Sequence, residues 1–91
     1  MTELERELDR VLTRLTSLHA RHRGAGADLT HAAAQRMREL TPDTTAPLLV
    51  PRVGDHAAGA QLQVLCAEFV AHHGDETEAA QVLADLRRAL P

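Results

Sequence analysis

The chain has 91 residues, a net charge of −3 and a single cysteine. This length predicts one domain, residues 1–91, with a modest core, and a lone cysteine excludes an internal disulfide. Neither half of the chain is basic, no apolar run could span a bilayer and no signal peptide is evident, so we expect no nucleic-acid partner, no membrane partner and a cytoplasmic location.

The composition predicts an all-α fold. Hydrophobic residues make up 44% of the chain, yet Phe69 is the only aromatic residue. A core of Leu, Val, Met and Ala favours helix–helix packing over a β-sandwich. All ten basic residues are Arg, and Lys, Ile, Asn and Tyr, whose codons are rich in A and T, are absent. We therefore expect a high-GC bacterium as the source and do not take the arginines as a nucleic-acid signal.

We predict a first helix over residues 2–23. Thr2 and Glu5 fit the capping-box pattern, which satisfies free amides at a helix start. Gly24 and Gly26 are expected to end the helix. Apolar residues recur along it at spacings of three and four, as in a bundle helix: Leu4, Leu8, Val11, Leu15 and Leu18.

A row of arginines follows the same helix. Arg6, Arg10 and Arg14 recur every four residues and line one ridge, which could meet phosphate or an acidic partner. Glu7 is expected on the outer face, paired with Arg10 three residues on, and Asp9 adds a further negative charge. Because these acids cancel much of the positive charge, we expect a solvated face.

The second helix is predicted over residues 28–40, with Asp28 as its N-cap and Pro42 just beyond its end. Only a few residues separate it from the first helix, so the two should form an antiparallel hairpin. The third helix is predicted over residues 55–73. Its apolar face combines Ala58, Leu62, Leu65, Cys66, Phe69 and Val70.

The fourth helix is predicted over residues 75–90. Gly74 is expected to supply the left-handed residue that ends the third helix. Asp75 then caps the fourth helix, with Glu78 as its capping-box partner. The short link predicts a second antiparallel hairpin. The whole chain is thus expected to form a four-helix bundle, or an orthogonal array of two helical hairpins joined by a proline-rich crossover.

The crossover, residues 41–54, is unlike the rest of the chain, because it combines three prolines with the apolar run Leu48–Val50. Two interpretations stay open. The run caps the bundle, with Arg52 pairing Asp55 or Glu68, or it forms an exposed apolar patch with a polar rim. In the second case the candidate partner-binding residues are Leu48, Leu49, Val50, Arg52, Asp55 and His56.

Six histidines allow a metal-binding alternative. His19 and His22 lie three residues apart on the predicted first helix, and His72 and His73 end the third, so zinc or copper is a candidate cofactor. No spacing supplies the three or four convergent ligands that a zinc site needs. Cys66 lies in an apolar face, where a thiol is expected to be inert.

The sequence predicts a protein that is not an enzyme. We find no nucleophile–base arrangement, no paired catalytic carboxylates and no phosphate-binding loop. The favoured function is a non-enzymatic protein–protein interaction or regulatory module, which uses the crossover and a helix face and binds another protein or itself as a homodimer. The alternatives are a small metal-binding or cofactor-handling protein and an accessory subunit of an enzyme.

Overall fold

The computed structural model describes residues 1–91 and contains four α-helices and no strand. The helices are α1 (Glu3–Thr16), α2 (Arg23–Leu40), α3 (Ala58–Ala71) and α4 (Glu76–Ala89), and short 3-10 turns, Ala20–His22 and Asp55–Ala57, lead into α2 and α3. The predicted all-α fold of four packed helices is confirmed. None of the helices combines the length and the hydropathy needed to cross a membrane.

Two predicted helix starts are confirmed by their caps. The hydroxyl of Thr2 accepts a hydrogen bond of 3.1 Å from the amide of Glu5 at the start of α1. The carboxylate of Asp75 accepts from the amides of Thr77 and Glu78 at the start of α4, at 3.0 and 3.3 Å. These side chains satisfy amides that lack a partner within the helix, and so fix where α1 and α4 begin.

The corner between α1 and α2 differs from the prediction. The first helix ends at Thr16, and α2 already begins at Arg23, so Gly24 and Gly26 lie inside α2 and do not end α1. A Cβ atom on Gly26 would lie 2.6 Å from Leu18 Cδ1. This close packing of the corner against α2 overrides the low helix propensity of glycine. Asp28, predicted as the N-cap, therefore lies within α2.

The predicted pairing of helices into two sequential hairpins is wrong. Instead, α1 packs mainly on α4, while α2 packs mainly on α3 and also contacts α4. The physical reason is the return path of the crossover, which runs back along α2 and brings the start of α3 beside the start of α2. The core side chains that are almost fully buried come from all four helices: Leu4, Val11, Thr30, Met37, Leu62, Phe69 and Leu83.

The end of α3 has the expected left-handed residue, but at a different position. His73 has a φ of 59°, and the amide of Gly74 donates to the carbonyl of Phe69 at 3.0 Å, as in a Schellman motif. Gly74 is needed for another reason. A Cβ atom there would lie 2.6 Å from Phe69 Cε1, and the Phe69 ring is buried.

A buried ion pair joins α1 to α4. Glu7, predicted on the outer face, is only 4% exposed, and its carboxylate accepts from Arg87 Nε at 3.0 Å and from Arg10 at 2.9 Å. The hydrogen bond from Arg87 is the main cause that lowers the pKa of Glu7, although burial opposes it. The carboxylate of Glu7 lies buried between α1 and α4, while the side chain of Arg87 is about one-third exposed.

We expect Gly74→Ala to lower the free energy of unfolding by about 1 to 3 kcal/mol, because the new methyl group overlaps the buried Phe69 ring. Gly24→Ala is the matched control. Its Cβ atom would meet nothing nearer than Asp55 Oδ2 at 3.8 Å, so this helical substitution should leave stability equal or raise it by up to about 1 kcal/mol. Denaturant unfolding followed by circular dichroism measures both, and equal effects would contradict the packing described for Gly74.

We expect Glu7→Gln to lower the free energy of unfolding at pH 7 by about 1.5 to 3 kcal/mol, since it removes charged hydrogen bonds. The folded state lowers the pKa of Glu7, so this stabilisation is present above the pKa of an unfolded Glu, about 4.3, and is lost as the pH falls through the folded value. Unfolding at pH 7 and pH 3 should show the difference between the two proteins shrinking in acid. Glu5→Gln, at an exposed position of the same helix, should show no such difference.

Candidate functional site

The crossover is held along its length by side chains of α2, beginning with Arg38. Its guanidinium donates from Nε to the carbonyl of Pro47 at 2.9 Å and from Nη2 to the carbonyl of Ala46 at 2.6 Å. Arg38 is only 9% exposed and forms no ion pair with a carboxylate. A buried charge costs free energy unless it is well hydrogen-bonded, so these two carbonyls are positioned to satisfy it.

Gln35 and His31 hold the next part of the crossover. The amide of Gln35 donates to the carbonyl of Leu48 and accepts from the amide of Val50, both at 2.8 Å. His31 Nε2 lies 2.8 Å from the carbonyl of Val50. One glutamine side chain thus bridges the backbone on both sides of Leu49, where the chain bends. These contacts give this segment a defined conformation.

Side chains of α3 hold the other edge of the crossover. Gln61 Nε2 donates to the carbonyl of Pro51 at 2.8 Å, and its Oε1 is enclosed without a partner. Thr44 donates to Glu68 Oε1 at 3.2 Å, and His72 contacts the same oxygen at 3.0 Å. The crossover therefore lies along the junction of α2 and α3 and is fixed to both.

The apolar run of the crossover divides between core and solvent. Val50, a predicted partner-binding residue, is 8% exposed and belongs to the core, so that assignment is wrong. Leu48 and Leu49 are 60% and 81% exposed. Neither of the two sequence interpretations is complete, because one residue folds inward and two point outward. We call the exposed pair Leu48–Leu49 the leucine knuckle.

The predicted polar rim lies at one end of the crossover. Arg52 bridges Asp28 and Asp55, each at 2.9 Å, and not Glu68. Hydrogen bonds to Asp55 and Asp28 raise the pKa of Arg52. Asp28 lies two turns before Gln35 on α2, so this cluster is about 10 Å along the helix from the leucine knuckle.

His56 and Asp55 line a separate groove of about 800 Å³. The groove lies where the end of α1 diverges from the start of α3, and Leu12 and Leu15 form part of its apolar floor. Gly59 allows α1 to approach α3 closely here, since a Cβ atom on it would lie 3.2 Å from Leu12 Cδ2. Of the candidate rim residues, Arg52 thus lies at the end of the crossover, whereas Asp55 and His56 line this groove.

The outer face of α3 is a surface that the sequence interpretation missed. Val64 is 65% exposed and Val70, predicted on the buried face, is 45% exposed. Alanines complete the exposed apolar positions, at Ala60, Ala67 and Ala71. Glu68 is the only charged residue of this helix. That lack of charge was the available signal, because an amphipathic helix with one buried side normally carries several charged residues on the other.

Val64 lies beside the crossover. Gln61 and Glu68, which contact the crossover, are one turn before and one turn after Val64 on the same side of α3. The crossover therefore runs along the edge of the outer face of α3, and the leucine knuckle lies between the two points of contact, Thr44 and Pro51, in the chain. Together the leucine knuckle and the outer face of α3 contain every large hydrophobic residue that is strongly exposed, apart from Met1.

The four candidate metal-binding histidines lie in two separate places. His19 caps the 3-10 turn at the first corner, where its Nδ1 accepts from the amide of Arg21, and its ring centroid is 6.5 Å from that of His22. Neither lies on α1, as the sequence had suggested. His72 and His73 lie at the end of α3, and no three His, Cys, Asp or Glu side chains converge in the structure.

The structure also shows the surroundings of Cys66 and of the arginine row of α1. Cys66 is buried, and desolvation raises its pKa to about 12, so the thiol lies in the core as predicted. The arginine row of α1 is largely paired. Arg6 contacts Glu3 at 3.3 Å, Arg10 contacts Glu7, and Arg14 donates to the carbonyl of Pro91.

We expect Gln35→Ala to release the crossover near the leucine knuckle. Both hydrogen bonds from Gln35 to the crossover are lost, which costs about 1 to 3 kcal/mol locally, so the amide of Val50 should exchange with solvent about tenfold faster or more. Hydrogen exchange by NMR measures this. Arg36→Ala is the control, because Arg36 is exposed and contacts only Glu39, at 3.6 Å. Unchanged exchange of Val50 in Gln35→Ala would contradict the bridge.

Comparison with protein-family models, with curated proteins and with solved structures finds no match for this chain.

Proposed function

We propose that this protein is a non-enzymatic interaction module that binds another polypeptide through the leucine knuckle. The observation that carries the proposal is the exposure of Leu48 and Leu49, 60% and 81%, on a segment whose backbone is fixed on both sides. Neighbouring exposed apolar side chains on a rigid support are typical of an interaction surface.

The way in which the crossover is held favours binding over a simple linking role. A linker needs only to reach the next helix, whereas this segment uses a buried guanidinium and a bridging amide to fix its conformation. Binding through a pre-ordered segment avoids the entropy cost of ordering it at the moment of association. A partner would need an apolar pocket that accepts two adjacent leucine side chains.

A scattered exposed leucine is common on protein surfaces and needs no explanation. Here two exposed leucines are adjacent in a fixed segment that runs along the edge of a helix face whose only charged residue is Glu68. Such surfaces are uncommon on monomeric soluble proteins unless they have a partner. The proposal includes a cytoplasmic location, which the lone buried cysteine favours. No cluster of ligands favours the metal-binding alternative.

We expect the double variant Leu48→Asp, Leu49→Asp to keep its fold and lose its partner. The two side chains are mostly exposed, so the free energy of unfolding should change by less than about 0.5 kcal/mol. Charges placed in an apolar pocket lack partners there and should abolish binding. The measurement is affinity capture from extracts of the source cells, compared with wild type, with thermal unfolding as the check on folding.

Thr45→Asp is the matched control, because it adds a charge to an exposed position of the same crossover outside the leucine knuckle. It should capture the same proteins as wild type. If the double variant is folded and still captures them, the leucine knuckle is not the binding surface and the proposal fails. Unfolding of the double variant would instead assign the two leucines a structural role.

A further inference from the structure

The sequence of α3 is typical of a helix that is buried on all sides, but in this structure only its inner side is buried. Thirteen of its 14 residues are uncharged, and its inner face supplies Leu62, Cys66 and Phe69 to the core. The outer face is exposed and carries no charged residue between Ala60 and Ala71 except Glu68, which lies at its edge beside the crossover. A helix that is apolar all round is normally buried all round.

The shape of the molecule explains why no element of this chain covers that face. The Cα atoms extend 38 × 27 × 16 Å, so the shortest dimension holds two layers of helices. Helix α3 packs mainly on α2 and over a shorter contact on α1, and the crossover runs along its edge, so none of these elements lies on its outer side. The outer face of α3 is therefore open to another molecule.

We propose that the outer face of α3 pairs with the same face of a second copy of this chain, in an antiparallel arrangement about a twofold axis. Ala60, Val64, Ala67 and Ala71 are spaced by four, three and four residues, the spacing of a helix–helix seam. A twofold axis midway along this seam brings Val64 opposite Ala67 of the partner subunit. Each valine then meets an alanine, and a face without charges can meet its own copy without like-charge repulsion.

The charges at the two ends of α3 favour the antiparallel direction. Asp75 and Glu76 follow the C-terminal end of α3 and form no ion pair within the chain, and the same holds for Glu78. Arg23 lies at the other end, where it lines the groove with His56, and it also lacks an acidic partner. Antiparallel pairing places the acidic end of each α3 toward the unpaired Arg23 of the other copy and opposes the two helix dipoles. Parallel pairing would place acid beside acid.

The groove between α1 and α3 provides a second contact between the two copies, because it can receive Val70 of the partner subunit. Val70 lies on the same side of α3 as Gly59 and Gln63, which are three turns and two turns before it. A twofold axis perpendicular to the two α3 helices leaves this side of each helix on the same side of the dimer. Val70 of one copy therefore faces the groove beside Gly59 of the partner subunit. The groove floor of Leu12 and Leu15 would then receive a valine side chain. This adds apolar area beyond the seam, toward the roughly 800 Å² that each partner buries in a standard interface.

The dimer goes beyond the proposed binding of a partner through the leucine knuckle. The same symmetry places the crossovers of both copies along one edge of the paired helices. The two leucine knuckles then lie on the same side of the assembly, where they can act together. Two linked binding sites raise the apparent affinity for a partner that contains two matching pockets.

The test is molar mass in solution, measured by size-exclusion chromatography with light scattering from about 5 to 500 μM. Wild type should give twice the chain mass of 9.9 kDa at the higher concentrations. Val64→Arg should give the monomer mass with unchanged helix content, because Val64 is exposed in the single chain and Arg is a good helix former. Ala32→Arg, at an exposed alanine of α2, is the control and should remain a dimer.

The double variant Val64→Arg, Ala67→Glu tests the direction of pairing. In the antiparallel arrangement each Arg faces a Glu of the partner subunit, so the dimer should return. In a parallel arrangement like charges would face each other and the chain would stay monomeric, which overturns the proposed direction. A monomeric wild type, or a Val64→Arg variant that is still a dimer, overturns the α3 interface itself. The proposed function would survive either result if the Leu48→Asp, Leu49→Asp variant loses its captured partner.

Discussion

The path of the crossover determines the architecture of this protein. Arg38 and Gln35 bind successive carbonyls of the segment as it runs back along α2, so the chain reaches the start of α2 again before α3 begins. Helices α2 and α3 therefore run parallel, which a short turn between them could not produce. With those two helices side by side, α1 and α4 pack against each other, and the end of α4 lies beside Arg14 near the end of α1.

Polar contacts at buried positions make this arrangement specific. The core is built from Ala, Leu and Val with one aromatic ring, and such residues could pack in several alternative ways. The ion pair of Glu7 with Arg87 fits only when α1 lies on α4, and the guanidinium of Arg38 is satisfied only when the crossover is in place. Each of these groups would be left without a partner in a misassembled core, which would cost free energy.

The same flat architecture leaves an apolar surface on one side. The four helices form two layers, so the outer face of α3 stays exposed although its composition suits a buried helix. The crossover adds the leucine knuckle next to that face. Exposed apolar surface of this kind favours association, and its fixed backbone favours a defined partner over non-specific contact.

The sequence by itself determined the local structure, because local structure depends on neighbouring residues. The caps at Thr2 and Asp75, the burial of Cys66 and the separate character of the crossover all follow from residue type and spacing. The start of α2 at Arg23, with Gly24 and Gly26 inside the helix, was not predictable in this way, since the low helix propensity of glycine disfavours it.

Only the tertiary structure decided which helices pair and which apolar residues are exposed. Periodicity shows that a helix has an apolar side, but not which helix covers it, and short links suggested hairpins that do not form. Val50 and Leu49 have nearly the same hydrophobicity, yet one is buried and the other exposed because Gln35 fixes the bend between them. The candidate site thus depends on contacts between residues far apart in the chain, and local sequence patterns do not encode those contacts.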